Sequence, residues 1–253
     1  MRCAFFCMWM IGLSLIAGAA FGDSTYRVIE VEKGGVIAGT TKLVGDYPPS
    51  RMSNVTRDHE ACGQYHPMEN FIVDPQTRGL KNVVITIKDI AAGKGYKELP
   101  DPVISQEQCV YIPHVQVFKP QTKLTIRNND GVLHNIHAYT AEQTLFNIAQ
   151  PSYVKKWPVR DLDADAVINV QCDVHEWMNA YLFPVEHPYF AISNKAGAFE
   201  IDQVPPGSYT IQAWHEVLGT MEKTVVITAG AAAVIAFDMK LDQEDKSTQP
   251  EPE

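Results

Sequence analysis

What most limits the fold of this chain is a succession of short, alternating apolar runs, each cut off by a turn. VVITI (83–87), KLTIRN (123–128), AVINVQC (166–172), SYTIQAW (208–214), KTVVIT (223–228) and AVIAFDM (233–239) are rich in β-branched residues. Such residues suit a pleated, half-buried surface. NNDG, NKAG and PPG punctuate the runs, and these residue types reverse a chain at little steric cost. No stretch keeps a long helical period. TAEQTLFNIA (140–149) is the one helix candidate, read as a short helix or a loop. Many short strands in a chain of 253 residues imply an all-β protein of sandwiches or barrels.

The first residues, MRCAFFCMWMIGLSLIAGAAFGDS, carry one basic side chain, then an apolar run, then small residues. That is the layout of a cleaved export signal, assigned to residues 1–22. The competing reading, a membrane anchor, is disfavoured because the run is short and no basic stop follows it. No later stretch is apolar enough to span a bilayer. A periplasmic or secreted protein is expected.

Cleavage would remove Cys3 and Cys7 and leave Cys62, Cys109 and Cys172. In an oxidising compartment thiols pair, and an odd number leaves one that needs a reason. Cys62 and Cys109, which lie far from any Cys-x2-Cys spacing, are expected to form a disulfide rather than a second metal site. The whole chain has 21 basic and 30 acidic side chains, a net charge of −9. An acidic chain is a poor partner for nucleic acid. The tail DQEDKSTQPEPE (242–253) is polar, acidic and proline-containing, the composition of a disordered segment.

Cys172 lies in VQCDVHEWMNAYLF, which places His175 and Met178 at successive three-residue steps. Upstream, LTIRNNDGVLHNIHAY supplies His134. Two imidazoles, a thiolate and a thioether are the ligands of a blue copper site, with the methionine weak and axial. The soft thiolate suits both copper oxidation states, and the weak fourth ligand leaves the geometry between the preferences of the two ions. His137 follows His134 by three residues, so on a strand it faces the other way and is expected outside the site. His114 is a further candidate ligand. His59, His66, His187 and His215 have no ligand spacing. Trp177, Tyr181, Leu182 and Phe183 read either as a docking surface or as core.

These residues resemble the cupredoxin family, and the short Cys-x2-His-x2-Met loop resembles its amicyanin type. The resemblance covers roughly residues 105–185, including YIPHVQVFKPQTKLTIRNND. It implies one type 1 copper held by His134, Cys172, His175 and Met178. It also implies that Asn135 braces the metal loop by hydrogen bonding and that His175 is the solvent-facing edge through which electrons pass.

NKAGAFEIDQVPPGSYTIQAWHE (194–216) resembles the signature of transthyretin-like, carboxypeptidase-regulatory-like domains. Such domains open with strands like GGVIAGTTKL (34–43) and GLKNVVITIKD (79–89), which here precede the copper segment. The expected layout is therefore N-terminal strands of this sandwich at 28–97, a Greek-key cupredoxin at 98–185 and the remaining strands at 186–241. The copper domain is then either inserted in the other sandwich or adjacent to it; insertion is favoured.

No Gly-x-Ser-x-Gly, His-Glu-x-x-His or Cys-x-x-Cys-His is present. The several His-x-His pairs of a multicopper oxidase and the second loop cysteine of a binuclear copper site are also missing. The chain reads as a one-electron carrier, not an enzyme, serving a separate redox protein such as a cytochrome or dehydrogenase. The alternatives are a copper-sequestering or copper-delivery protein, and a non-redox binding module that uses the transthyretin-like half.

Overall fold

A computed structural model describes residues 26–46, 52–96, 99–162 and 164–241. The expected export signal (1–22) and the expected disordered tail (242–253) lie outside these described residues. Among the described residues the chain is strand and turn apart from a single helical turn, His59–Cys62. The expected all-β class holds.

Four larger sheets form two sandwiches. In the first, Gly35–Leu43 lies between Ala198–Val204 and Ala232–Met239. It runs antiparallel to the former and parallel to the latter, in register from Val36 opposite Ala232 to Leu43 opposite Met239. Its companion sheet is ordered Phe190–Ile192, Val84–Ile87, Gly207–His215, Gly219–Ile227. Alternation along each strand turns Ile37, Ile85, Ile87, Ile211 and Phe237 into a common core. Parallel neighbours cannot be joined by a hairpin and need a long crossover. Here the chain leaves this pair of sheets after Ile87 and re-enters it at Phe190.

The intervening residues build the second sandwich. Its five-stranded sheet is ordered Thr144–Gln150, His134–Tyr139, Ile168–Gln171, Asn179–Pro184, Val115–Phe118. Its four-stranded sheet is ordered Lys156–Leu162, Thr122–Asn128, Val103–Glu107, Val110–Ile112. Ile104, Phe118, Leu124, Ile126, Ile136 and Leu182 fill the space between them.

Residues 144–150 are thus a strand, neither helix nor loop. They pair antiparallel with His134–Tyr139, Ile148 opposite Ile136, at the edge of the sheet. Cross-strand pairing outweighs the weak local helix preference of the segment.

Two features join the halves. Val84, Val115, Val117 and Val185 form a small core of their own, with Tyr181, Phe183 and Trp214 packed on it. The expected disulfide between Cys62 and Cys109 is present. It ties the segment that holds the hairpin Met52–Asn54/Tyr65–Pro67 to the turn between Val103–Glu107 and Val110–Ile112. Val55 and Cys62 consequently join the core of the second sandwich. At the NKAG turn, Gly197 has φ 76°. A Cβ there would lie 2.2 Å from the carbonyl of Thr41, so only glycine fits without displacement.

Candidate metal centre

The centre lies at one end of the second sandwich. Thr122–Asn128 ends in buried Asn128, whose side chain accepts from the Asp130 N–H (3.0 Å) and donates to the carbonyls of Val132 (3.0 Å) and Gln150 (3.1 Å). This fixes the NNDG turn and aims Asp130 inward. The Asp130 carboxylate accepts from the backbone N–H groups of Gln108 (2.7 Å) and Cys109 (3.0 Å). Those two residues have φ 53° and 56°, as a two-residue hairpin turn requires. Asp130 also holds Nε2 of His134 at 2.8 Å.

His134 begins its strand and is fully buried. With Nε2 on a carboxylate, the ring directs Nδ1 into the centre, where it lies 2.9 Å from Nδ1 of His175. His175 is held in the same way from behind: its Nε2 is 2.9 Å from the Asp58 carboxylate. Cys172 Sγ lies 3.8 Å from His175 Nδ1. The ligand atoms of His134, Cys172 and His175 all fall within 4.8 Å of one another.

The loop carrying three of the four expected ligands closes on itself. Cys172 N–H donates to the Met178 carbonyl (3.1 Å) and Met178 N–H to the His175 carbonyl (2.9 Å). Met178 is buried in the same core cluster as Cys172. Asn135 Oδ1 accepts from the Asp173 N–H (2.7 Å) and the Cys172 thiol (3.3 Å). Its Nδ2 donates to Asp173 (2.9 Å) and Asn147 (2.9 Å). Asn135 therefore holds the loop to the neighbouring strand.

The electrostatics favour a thiolate. Burial alone would raise the Cys172 pKa, but hydrogen bonding with His134, His175 and Asn135 brings it down to about 6. Burial likewise opposes charge on His134, yet Asp130 and Cys172 outweigh it and raise its pKa. Asp130 is lowered despite burial, by His134 and the two turn N–H groups.

His137 faces outward to Asp173 (3.1 Å) and Thr144 (3.1 Å), away from the centre. His114 is also elsewhere, buried at the seam between the sandwiches against Glu216. A second cluster, Cys109, Asp130 and His134, has the spacing of a metal site, but Cys109 is spent in the disulfide.

One expectation fails. His175 is not solvent-facing; its exposure is 0%, because the 52–67 segment, pinned by the disulfide, covers it. Nor do Tyr181, Leu182 and Phe183 form a docking surface. Leu182 is core, and Tyr181 and Phe183 pack against Trp214. Asp58 escapes notice in the sequence. It lies 117 residues from His175, and its only sequence signal is its closeness to Cys62.

The donor set of two nitrogens and a thiolate, buried and already converged, fits a soft transition-metal ion such as copper. Among the described residues no helix is long and apolar enough to cross a membrane.

Comparison with known proteins gives limited matches. The family model described as "Polysaccharide lyase family 4, domain II" matches residues 164–235, a description different from the transthyretin-like one expected for the C-terminal strands. No curated protein matches the chain. Among solved structures, a purple cupredoxin from Nitrosopumilus maritimus is similar at 20% identity and a TM-score of 0.29, over 34% of this chain and 100% of that one. A mutant amicyanin in its Cu(I) form is similar at 14% identity and a TM-score of 0.30, over 40% of this chain and 98% of that one. A copper-containing nitrite reductase from Thermus scotoductus is similar at 11% identity and a TM-score of 0.29, over 39% of this chain and 26% of that one. Likenesses this weak carry no chemistry.

Proposed function

We propose that this chain is an exported mononuclear copper protein that carries single electrons, whose metal His134, Cys172, His175 and Met178 would hold. The observation that carries the reading is the paired orientation of the imidazoles. Both Nδ1 atoms and the thiolate converge in a buried space while both Nε2 atoms are held by carboxylates. Metal-ligating histidines characteristically give their second ring nitrogen to a carboxylate or carbonyl, which fixes tautomer and direction.

When bound, copper supplies a one-electron couple. The chain's own residues hold the donors ready for it. Asp130 and Asp58 keep the Nε2 protons and leave the Nδ1 lone pairs free. Asn135 holds the loop of Cys172 to its strand through the Asp173 N–H. Burial excludes water and competing ligands. Donors fixed in advance need little rearrangement when the charge of the site changes, which is what a carrier requires.

The two sandwiches read as a carrier domain inserted between the early and late strands of a second domain. The chain is then no enzyme, and its donor and acceptor are other redox proteins met in the periplasm or outside the cell. A sequestering or delivery role would need ready metal exchange, and the closed edge of His175 opposes that.

The test is the visible and electron-paramagnetic-resonance spectrum of the mature chain with one equivalent of Cu(II), beside Cys172→Ser. An intense thiolate-to-copper band, lost in the variant, is expected. A colourless wild type, with copper bound by nitrogen and oxygen alone, would overturn the reading.

A further inference from the structure

The covered histidine raises the question of how an electron reaches the site. His134, Cys172, His175 and Met178 are each no more than 1% exposed. The outer nitrogen of His134 ends on Asp130 and that of His175 on Asp58, with Cys62 Sγ 3.9 Å from the latter. No ligand therefore presents an edge to a partner.

An aromatic path does lead outward. The Trp177 ring lies 5.0 Å from His175, centroid to centroid. On Trp177 is stacked His66, at 5.7 Å and nearly parallel, with 9° between the planes. His66 is only partly buried, and its neighbour Tyr65 is 62% exposed. Each ring of the stack is held by one half of the disulfide. Trp177 Nε1 donates to the Cys109 carbonyl (2.9 Å), and His66 Nε2 lies 2.7 Å from the Cys62 carbonyl. Two rings brought together from positions far apart in the chain are thus clamped by one covalent link beside a ligand that has no surface of its own. Packing alone does not call for a parallel imidazole–indole stack anchored on both sides of a disulfide.

We propose that electrons enter and leave the centre through Trp177 and His66, the stack replacing the ligand edge that the 52–67 segment closes. This rests on the copper reading above. In each transfer one electron leaves the reduced centre and is gained by a one-electron acceptor; no bond forms or breaks and no proton moves. The surface presented to the partner is then the hairpin around Tyr65 and His66, not the loop that carries the ligands.

The experiment compares wild type, Trp177→Leu, Trp177→Phe and His66→Ala, all as the full mature chain. Electron self-exchange is read from nuclear-magnetic-resonance line broadening in mixtures of the oxidised and reduced copper forms. Trp177→Leu is expected to slow exchange by about an order of magnitude, a change equivalent to a modest barrier. His66→Ala should slow it by less, and Trp177→Phe should recover most of the rate. The thiolate-to-copper band and resonance parameters of all variants should match wild type. A readout without metal accompanies these: in the metal-free chain the His66 ring protons should be shifted upfield by the Trp177 ring current and return to ordinary positions in Trp177→Leu. Unchanged exchange in Trp177→Leu with an intact spectrum overturns the route. If Trp177→Leu disturbs the spectrum, His66→Ala decides alone, since His66 touches no ligand: unchanged exchange there overturns the route as well. A wild type that lacks the thiolate-to-copper band refutes the copper reading itself, and the route falls with it.

Discussion

Among the described residues, the sandwich formed by 35–43, 84–87 and 190–239 buries the polar residues Thr41, Asn82, Ser193 and His215, and the Glu216 carboxylate faces the seam. Thr41 and Ser193 both donate to the Leu80 carbonyl, at 2.8 and 2.7 Å, and so knit the ends of neighbouring strands. The sandwich of 103–184 buries Gln106, His114, Asn128, His134, Asn135, Gln150 and His175. Apart from His114, which faces the seam, these are linked through the His134 strand and the turns around it. Burying polar groups costs free energy unless each finds a partner. The first sandwich spends that cost on a few stitches in its own backbone. The second concentrates it around one cluster of donors. One half thus spreads its buried polar groups over its own backbone, and the other gathers them around the proposed metal ligands.

The largest test of that contrast is the link between the halves. Replacing Cys62 and Cys109 together by alanine removes a covalent closure spanning 47 residues. The chain-entropy model gives a loss of about 4 kcal/mol, to be read from urea denaturation of the metal-free protein. The same variant should open the edge of His175, so that diethyl pyrocarbonate modifies it in the metal-free chain where wild type is protected. Equal protection in both would show that the 52–67 segment holds itself in place.

A core truncation in the first sandwich should cost less and leave the centre untouched. Ile211 is fully buried, and Ile211→Ala should destabilise by about 3 kcal/mol. The copper spectrum of the folded variant should be that of wild type. A shifted band would mean that the two halves are mechanically coupled and the contrast is false.

Asn135→Ala probes the opposite case. It orphans the Asp173 N–H and a side-chain partner at Asn147, a loss of about 2 kcal/mol. Unlike Ile211→Ala it should alter the spectrum, because the loop that carries Cys172 loses the acceptor that holds it at the Asp173 N–H. An unaltered spectrum would reduce Asn135 to a stabilising residue.

How much of this is legible in the chain follows from the range over which each signal acts. Period-two alternation is local, so Thr122–Asn128, Ile168–Gln171 and Ala232–Met239 are readable to within a few residues. The metal loop is local too, since Cys172, His175 and Met178 share one turn. The strand at Thr144–Gln150 is misread because its identity comes from a partner strand across a turn. The closed edge of His175 is invisible for a stronger reason. It depends on a segment more than a hundred residues upstream, delivered by a disulfide whose pairing can be guessed but whose consequence for a third residue cannot. Asp130, by contrast, stands four residues before His134 in the NNDG turn and is open to such a reading.

The smallest expected effect lies at the seam, where His114 faces Glu216, Glu69 and the Asn179 carbonyl, with His215 adjoining. Burial would lower the His114 pKa, but the hydrogen bond and charge of Glu216, helped by Glu69, outweigh it and raise it above 6.5. A histidine raised on folding stabilises fully below its unfolded value, and that contribution is lost as pH rises through the folded value. His215 runs the other way: burial depresses it to about 4, so its contribution is present above the unfolded value and lost as pH falls towards 4. Total stability is therefore a poor readout, since the two neighbours oppose each other. The depression of His215 comes first from burial, which wild type and His114→Gln share, so the difference between them reports mainly His114, with the lesser part of the His215 shift that the charge of His114 causes. Measured by urea denaturation, that difference should be greatest just below pH 6.5 and shrink steadily towards alkaline pH. A difference that stayed constant with pH would show that folding leaves the His114 pKa unshifted, and one that shrank as pH fell below 6.5 would show that burial holds the ring neutral.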